Sequence, residues 1–198
     1  MLDAQWTQWA VWLMVALALF LLIWPDWRGL IVGLAVLEAA LVAVLLQVWS
    51  LPLAATQLIA GWLAGAMLAI AQNLRVRNEA PPPLTGRLVR FLAGVLTLAL
   101  VFSSSPALAQ VWPAVPGPVR LGGATVALLG IMQTAWSRHP LRLTIGLLTA
   151  LSGFLALYAW QQQGLLLTGL LAMFQVLVAW AGSYLIHQIQ TLAGEDAL

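Results

Sequence analysis

Apolar runs of roughly 20 residues, divided by short polar or proline-containing breaks, repeat along most of the chain. A helix crossing the hydrocarbon core of a bilayer needs about 20 mostly apolar residues. That length predicts about seven spans, near 6–24, 29–49, 54–74, 88–110, 119–136, 143–160 and 164–188. The breaks are Pro25-Asp26-Trp27-Arg28, Ser50-Leu51-Pro52, the stretch from Arg75 to Arg87 with Pro81-Pro82-Pro83, Trp112 to Pro118, Ser137-Arg138-His139-Pro140 and Gln161-Gln162-Gln163-Gly164. Proline and glycine punctuate them because neither continues a helix comfortably. Ser103-Ser104-Ser105-Pro106 predicts a bent or frayed end to the fourth span. The first span lacks a basic leader and is too long for a signal peptide, so it reads as a retained helix. Arg87 to Ala109 mimics a signal peptide with its cleavage site, but its internal position makes it an ordinary fourth helix.

A weak internal repeat accompanies this layout. Gly33 follows Arg28 by five residues and Gly146 follows Arg142 by four, each pair opening a helix that is followed by an uncharged turn and a returning helix. Helices 1–3 and 5–7 then form two similarly oriented triplets joined by helix 4, an arrangement known from membrane transport folds. The expected fold is an all-α integral membrane protein, a single transmembrane domain over 1–198. Within it, 1–76 is the first triplet, 77–118 a loop, the linking helix and an outer loop, 119–190 the second triplet, and 191–198 an acidic tail.

Composition sharpens the class. Of 198 residues 63% are hydrophobic and 7% charged, with a mean hydropathy of +0.97. A soluble domain is about 25% charged, so an ordinary water-soluble globule is excluded. All eight basic residues are arginines scattered between apolar runs, which excludes a nucleic-acid-binding patch. The absence of cysteine removes disulfides, thiolate metal sites and thiol nucleophiles. Arg28, Arg75, Arg77, Arg87, Arg90, Arg138 and Arg142 fall on one side of the predicted layout and Arg120 alone on the other. By the positive-inside rule the crowded side is cytoplasmic, which places the N-terminus outside and the Glu195-Asp196 tail inside. Trp24, Trp27, Trp49, Trp112, Trp136 and Trp160 lie at predicted helix ends and Trp6 and Trp9 at the start of the first, as expected of interfacial anchors.

Glu38 is the most informative residue. It lies ten positions beyond Arg28, about 15 Å into the bilayer at 1.5 Å per residue. A charged, lipid-exposed carboxylate there costs at least about 2.5–3.5 kcal/mol. It must be protonated, face the protein interior or a wet cavity, or pair with a partner. Two readings follow: a proton-relay or ion-coupling carboxyl, or a neutral glutamate bonded to a neighbouring helix or subunit. Gln57, Gln72, Gln133 and Gln175 are the other intramembrane polar groups; an amide can bridge helices or hold a water file but carries no proton at ordinary pH. Glu38, Gln57 and Gln175 are the candidate relay residues, and they form one cluster if the two triplets face each other. Arg138, His139 and Arg142 are candidates for a lipid headgroup contact, with His187 near the same face. Gly29 and Gly33, Gly61 and Gly65, and Gly123 with Ala127 are small pairs that permit close helix approach. No phosphate loop, Ser/His/Asp set, paired carboxylates or metal-ligand spacing is present, so an autonomous enzyme, a metal site and a bound cofactor are not expected.

The stretch Ser137-Arg138-His139-Pro140-Leu141-Arg142-Leu143-Thr144-Ile145-Gly146-Leu147 resembles the arginine-rich turn and I-G-L opening of the small K-type membrane subunit of respiratory complex I. It is also similar to the equivalent helix of hydrogenase-4 component E, a longer relative with this triplet at its C-terminal end. The resemblance spans about 119–190, and 10–75 in layout only. It implies a subunit whose helices carry a chain of membrane-embedded charges linking redox chemistry to proton movement. The sequence departs from that pattern: Leu148 stands where one family carboxylate would follow Gly146-Leu147, Leu151 at the hydrogenase-type position, and Gln175 at the second. Glu38 has the hydrogenase-type spacing from Gly33, but in the first triplet. The expectation is an integral subunit of a complex-I-like or group-4-hydrogenase-like ion-translocating assembly. It would lie in a bacterial inner membrane or another energy-coupling membrane, among other membrane subunits. The alternatives are a stand-alone transporter or channel built from two parallel triplets, and a purely structural membrane subunit.

Overall fold

Long apolar runs bounded by proline make helices, and the computed structural model is all-helical over its described residues, 4–73, 84–137, 139–161 and 165–195. In chain order these are α1 (Ala4–Ile23), α2 (Trp27–Leu45), α3 (Leu51–Asn73), α4 (Leu84–Ser103), α5 (Ser105–Val111), α6 (Gly117–Trp136), α7 (Pro140–Tyr158) and α8 (Leu165–Glu195). Pro106, Pro118 and Pro140 stand in the first turns of α5, α6 and α7, where the missing N–H has no helical partner to lose. Arg75, Arg77, Pro81-Pro82-Pro83, Arg138, Gln162-Gln163-Gly164 and Asp196 lie outside the described residues.

Six helices are long and apolar enough to cross a membrane: α1, α2, α3, α4, α7 and α8. The predicted fifth span, α6, falls outside that set because four glycines, Arg120 and Gln133 dilute its hydrophobicity. The predicted fourth span divides in two. At its break the Ser103 and Ser104 hydroxyls both donate to the Leu100 carbonyl at 2.8 Å, competing with the backbone ladder where the helix bends. The last helix outruns its predicted end at 188, so 191–195 of the expected tail are helical.

The helices pack as two triplets, α1-α2-α3 and α6-α7-α8, with α1 against α6, α2 against α7 and α3 against α8. Their directions follow from individual contacts. The Arg142 guanidinium donates to the carbonyls of Trp24 (2.6 Å) and Pro25 (2.9 Å), which joins the α6–α7 corner to the α1–α2 corner. A Cβ on Gly122 of α6 would strike Val11 of α1, so α1 and α6 run parallel, as do α2 and α7. Helix α4 runs antiparallel to α1, with Gly94 against Leu19 and Leu22 and Phe102 stacked 6.1 Å from Trp12.

The closest helix pair is α6 with α7. Gly123, Ala127 and Gly130 face Gly146, Ala150 and Gly153, the same spacing on two antiparallel helices. A Cβ on Gly130 would lie 2.7 Å from the Ala150 Cα and the Gly146 oxygen, and one on Gly153 2.7 Å from the Gly123 oxygen. Only small residues admit backbones this near. Leu21, Leu34, Leu37, Leu41, Leu68 and Ile145 are fully buried in the core, and the outer faces of α4 and α8 remain apolar and exposed. Trp6 and Trp9 are exposed, whereas Trp49, expected at a helix end as an anchor, is buried in the core.

Candidate functional site

Glu38 sits on the twelfth residue of the nineteen in α2 and is 1% exposed. Its position turns it inward, toward the second triplet. Ser152 of α7 donates its hydroxyl to Glu38 Oε1 at 2.6 Å, and Gln175 of α8 donates its amide to the same oxygen at 3.2 Å. Gln57 of α3 in turn donates to Gln175 Oε1. An ionised carboxyl only accepts, so the Gln175 nitrogen must face it, which leaves the Gln175 oxygen for Gln57. The result is a continuous hydrogen-bonded chain across α3, α8, α2 and α7 in which every member is at most 2% exposed.

The carboxyl lies flat against α3. A Cβ on Gly61 would be 2.7 Å from Glu38 Cγ and Cδ and 2.8 Å from Oε2, so the absence of a side chain at 61 makes the space the carboxyl occupies. The next residue, Trp62, donates its indole N–H to the Ala35 carbonyl at 3.1 Å and spans the α2–α3 seam on the outer side at this level. Glu38 Oε2 and Gln57 Oε1 are buried without a hydrogen-bond partner among the described residues. An acceptor left bare in an apolar interior costs about 1–3 kcal/mol; a proton on Oε2 would turn that oxygen into a donor. Ser152 also lies 2.9 Å from the Leu148 carbonyl. Its single hydroxyl hydrogen serves either that carbonyl or Glu38, so the serine can donate to the carboxyl in one state and accept from it in the other.

All three candidate relay residues, Glu38, Gln57 and Gln175, therefore meet in one cluster. Gln72 and Gln133 do not join it. Gln133 donates weakly to the Arg142 carbonyl at 3.5 Å at the arginine-rich end, and the buried Gln72 oxygen has no partner among the described residues. Of the headgroup candidates, Arg142 ties the two corners together, His139 is the residue that precedes α7 at the same end, and Arg138 lies outside the described residues. Ser152, which makes the shortest contact to the carboxyl, was not among the candidates. Its only sequence signal is a hydroxyl beside Gly153 in an apolar helix. At the other end, a cavity of about 280 Å³ opens between Thr7, Gln8, Gln47, Val119 and Trp160; none of the cluster residues lines it.

Searches against protein-family models, curated proteins and solved structures find no match. The functional reading therefore rests on the chain's own residues.

Proposed function

We propose that this chain is an integral membrane subunit of a proton- or ion-translocating assembly of the complex-I-like or group-4-hydrogenase-like kind. In this reading all seven long helices, α6 included, cross the bilayer of a bacterial inner or other energy-coupling membrane. The arginine-rich end is cytoplasmic and the N-terminus lies outside. The observation that carries the reading is the Glu38 carboxyl, placed at mid-depth and held by Ser152 and Gln175. Of the charged groups whose surroundings are described, it is the one enclosed in the middle of the bundle, and a carboxyl is the group there able to take up and release a proton. Ser152 adjoins Leu151, the hydrogenase-type carboxylate position, and Gln175 stands at the second family position.

The chain works mainly as scaffold in this assembly and contributes Glu38 to its proton path. Purification from the native membrane should bring down larger membrane subunits. Glu38→Gln should lower coupled ion translocation while leaving the assembly intact. Isolation as a stable functional monomer would count against the proposal.

One observation favours the second reading, a stand-alone transporter: the cluster closes between the two triplets of a single chain. Proton flux in liposomes containing only this chain, lost in Glu38→Gln, would decide for it. An inert Glu38→Leu chain that assembles normally would leave only a structural role.

A further inference from the structure

Two oxygens of the buried cluster are left over, and they belong to the two ends of one hydrogen-bonded chain. Gln57 donates its amide to Gln175 Oε1, and Gln175 donates its own amide to Glu38 Oε1. The chain begins on the Gln57 amide and finishes on the Glu38 carboxyl. The second oxygens of those end groups, Gln57 Oε1 and Glu38 Oε2, are buried without a partner among the described residues. Local geometry brings these ends together. Gln57 and Gly61 are both buried on α3, one turn apart and so on the same face. A helical side chain covers the turn N-terminal to its own Cα, so the bare Gly61 leaves open the turn that carries Gln57. Glu38 Oε2 fills that opening, 2.8 Å from where a Cβ on Gly61 would stand.

Counting hydrogens decides what joins them. Glu38 Oε1 accepts from Ser152 at 2.6 Å and from Gln175 at 3.2 Å, which engages both lone pairs of a carbonyl oxygen. A proton on the carboxyl then belongs to Oε2. An ionised carboxyl would instead leave two bare acceptors and an unpaired charge in an apolar interior, which is costly. The surroundings offer that charge no counterion. α3 presents Gln57 and Gly61 to the carboxyl, α7 presents Ser152 and α8 presents Gln175. The buried residues of α1, the other helix packed on α2, are all apolar. Among the described residues no second ionisable side chain is buried.

We propose that Glu38 is neutral at rest and donates its Oε2 hydrogen to Gln57 Oε1. This closes a ring of three hydrogen bonds, from Gln57 to Gln175, from Gln175 to Glu38 and from Glu38 back to Gln57. One hydrogen satisfies both leftover oxygens. Gln57 is a positioning residue in this ring, because its amide oxygen fixes which carboxyl oxygen carries the proton. Ser152 commits its hydroxyl hydrogen to Oε1 in this state. Resting on the reading of Glu38 as a proton-carrying group, the ring presents the proton to the seam between α3 and α8. The contact between α2 and α7 then holds the carboxyl in place without receiving its proton.

The test is infrared spectroscopy of the full chain in lipid at neutral pH. A protonated carboxyl absorbs apart from carboxylates and amides, and its carbonyl band rises in wavenumber when its O–H loses an acceptor. Wild type should show one such band, absent from Glu38→Gln. Gln57→Leu should shift the band to higher wavenumber. Gln72→Leu, which removes another buried amide of α3, should leave it in place. No acid band in wild type, or an unshifted band in Gln57→Leu, overturns the proposal. If Gln57→Leu does not fold, wild type decides alone: a band at the position of an acid with an unbonded O–H overturns the ring. These spectra read neither translocation nor assembly, so a missing ring leaves the subunit reading standing. Normal ion translocation by Glu38→Gln, with the ring present in wild type, would overturn that reading instead.

Discussion

Gly61→Ala tests the geometry of the buried carboxyl most directly. A Cβ there lies 2.7 Å from Glu38 Cγ and Cδ and 2.8 Å from Oε2, whereas ordinary van der Waals contact begins at 3.4 Å. The carboxyl or α3 must therefore give by about 0.7 Å, the difference between those two distances. The carboxyl cannot retreat straight, because Ser152 stands 2.6 Å beyond it. If α3 moves instead, the Trp62 bond to Ala35, now 3.1 Å, stretches past bonding distance and the Gln57 bond to Gln175 is pulled with it. Overpacking costs about 1–3 kcal/mol and a disrupted buried hydrogen bond a further 1–3 kcal/mol or so. Replacing a helical glycine returns about 1 kcal/mol. The net expectation is a loss of about 3 kcal/mol, or roughly 6–12 °C in unfolding midpoint for a chain of this size.

Gly65→Ala is the matched control. It is the same substitution one turn along α3, also buried, but a Cβ there meets nothing within 4 Å. It should be neutral or stabilising by up to about 1 kcal/mol. Thermal unfolding in detergent, followed by intrinsic tryptophan fluorescence, separates the two. In a Glu38→Ala background the Gly61→Ala penalty should largely vanish, since the atoms it strikes are gone; a double-mutant cycle measures that coupling. Equal stability of Gly61→Ala and Gly65→Ala, or an undiminished penalty without Glu38, would refute the placement of the carboxyl on α3.

Other substitutions probe the remaining contacts. Ser152→Ala removes the 2.6 Å donor to Glu38 and should cost about 1–3 kcal/mol, with Ser152→Thr retaining most of it; equal unfolding midpoints for Ala, Thr and wild type would contradict the bond. Gly130→Ala sets a Cβ 2.7 Å from the backbone of α7, where no side chain can swing aside. It should destabilise more than Gly61→Ala, in the same unfolding assay. Because the chain has no cysteine, single cysteines at Pro116 and Ser137 can report on α6 alone. An impermeant maleimide should reach them from opposite sides of the membrane, and labelling from one side would reduce the spans to the six most apolar helices.

How much of this was legible in the sequence depends on what each residue does in isolation. Glu38 stands out because a carboxylate deep in an apolar run is costly wherever it points. Ser152 does not, because hydroxyls in apolar helices commonly bond their own preceding turn. Thr144, Thr149, Ser152 and Ser183 all do so, and only the tertiary fold shows which one also reaches across. The α6–α7 pair was half visible: Gly123 with Ala127 marks a close approach, but its complement Gly146-Ala150-Gly153 acquires meaning only once the two helices are antiparallel. The same glycines lower the apolarity of α6, so the feature that packs it most tightly also removes it from the set of spans defined by hydropathy.

The stacking of the triplets explains why one carboxyl is enough. Each helix of the first triplet lies beside its counterpart in the second, and α2 and α7 run parallel. Had α2 and α7 met through equivalent faces, the residue corresponding to Glu38 would confront it. By spacing from Gly33 and Gly146 that residue is Leu151, and it is only half-buried, while its neighbour Ser152 is fully buried and meets Glu38. The converse holds on α2, where Ala39, the counterpart of Ser152, is exposed. The two triplets therefore meet through inequivalent faces, much as successive layers do when related by translation. Under that relation a carboxyl in one triplet requires a donor, not a second carboxyl, in the other. Leucine at 151 is then the expected residue at a position turned away from the site, and neither triplet alone can hold the Glu38 carboxyl with its donors.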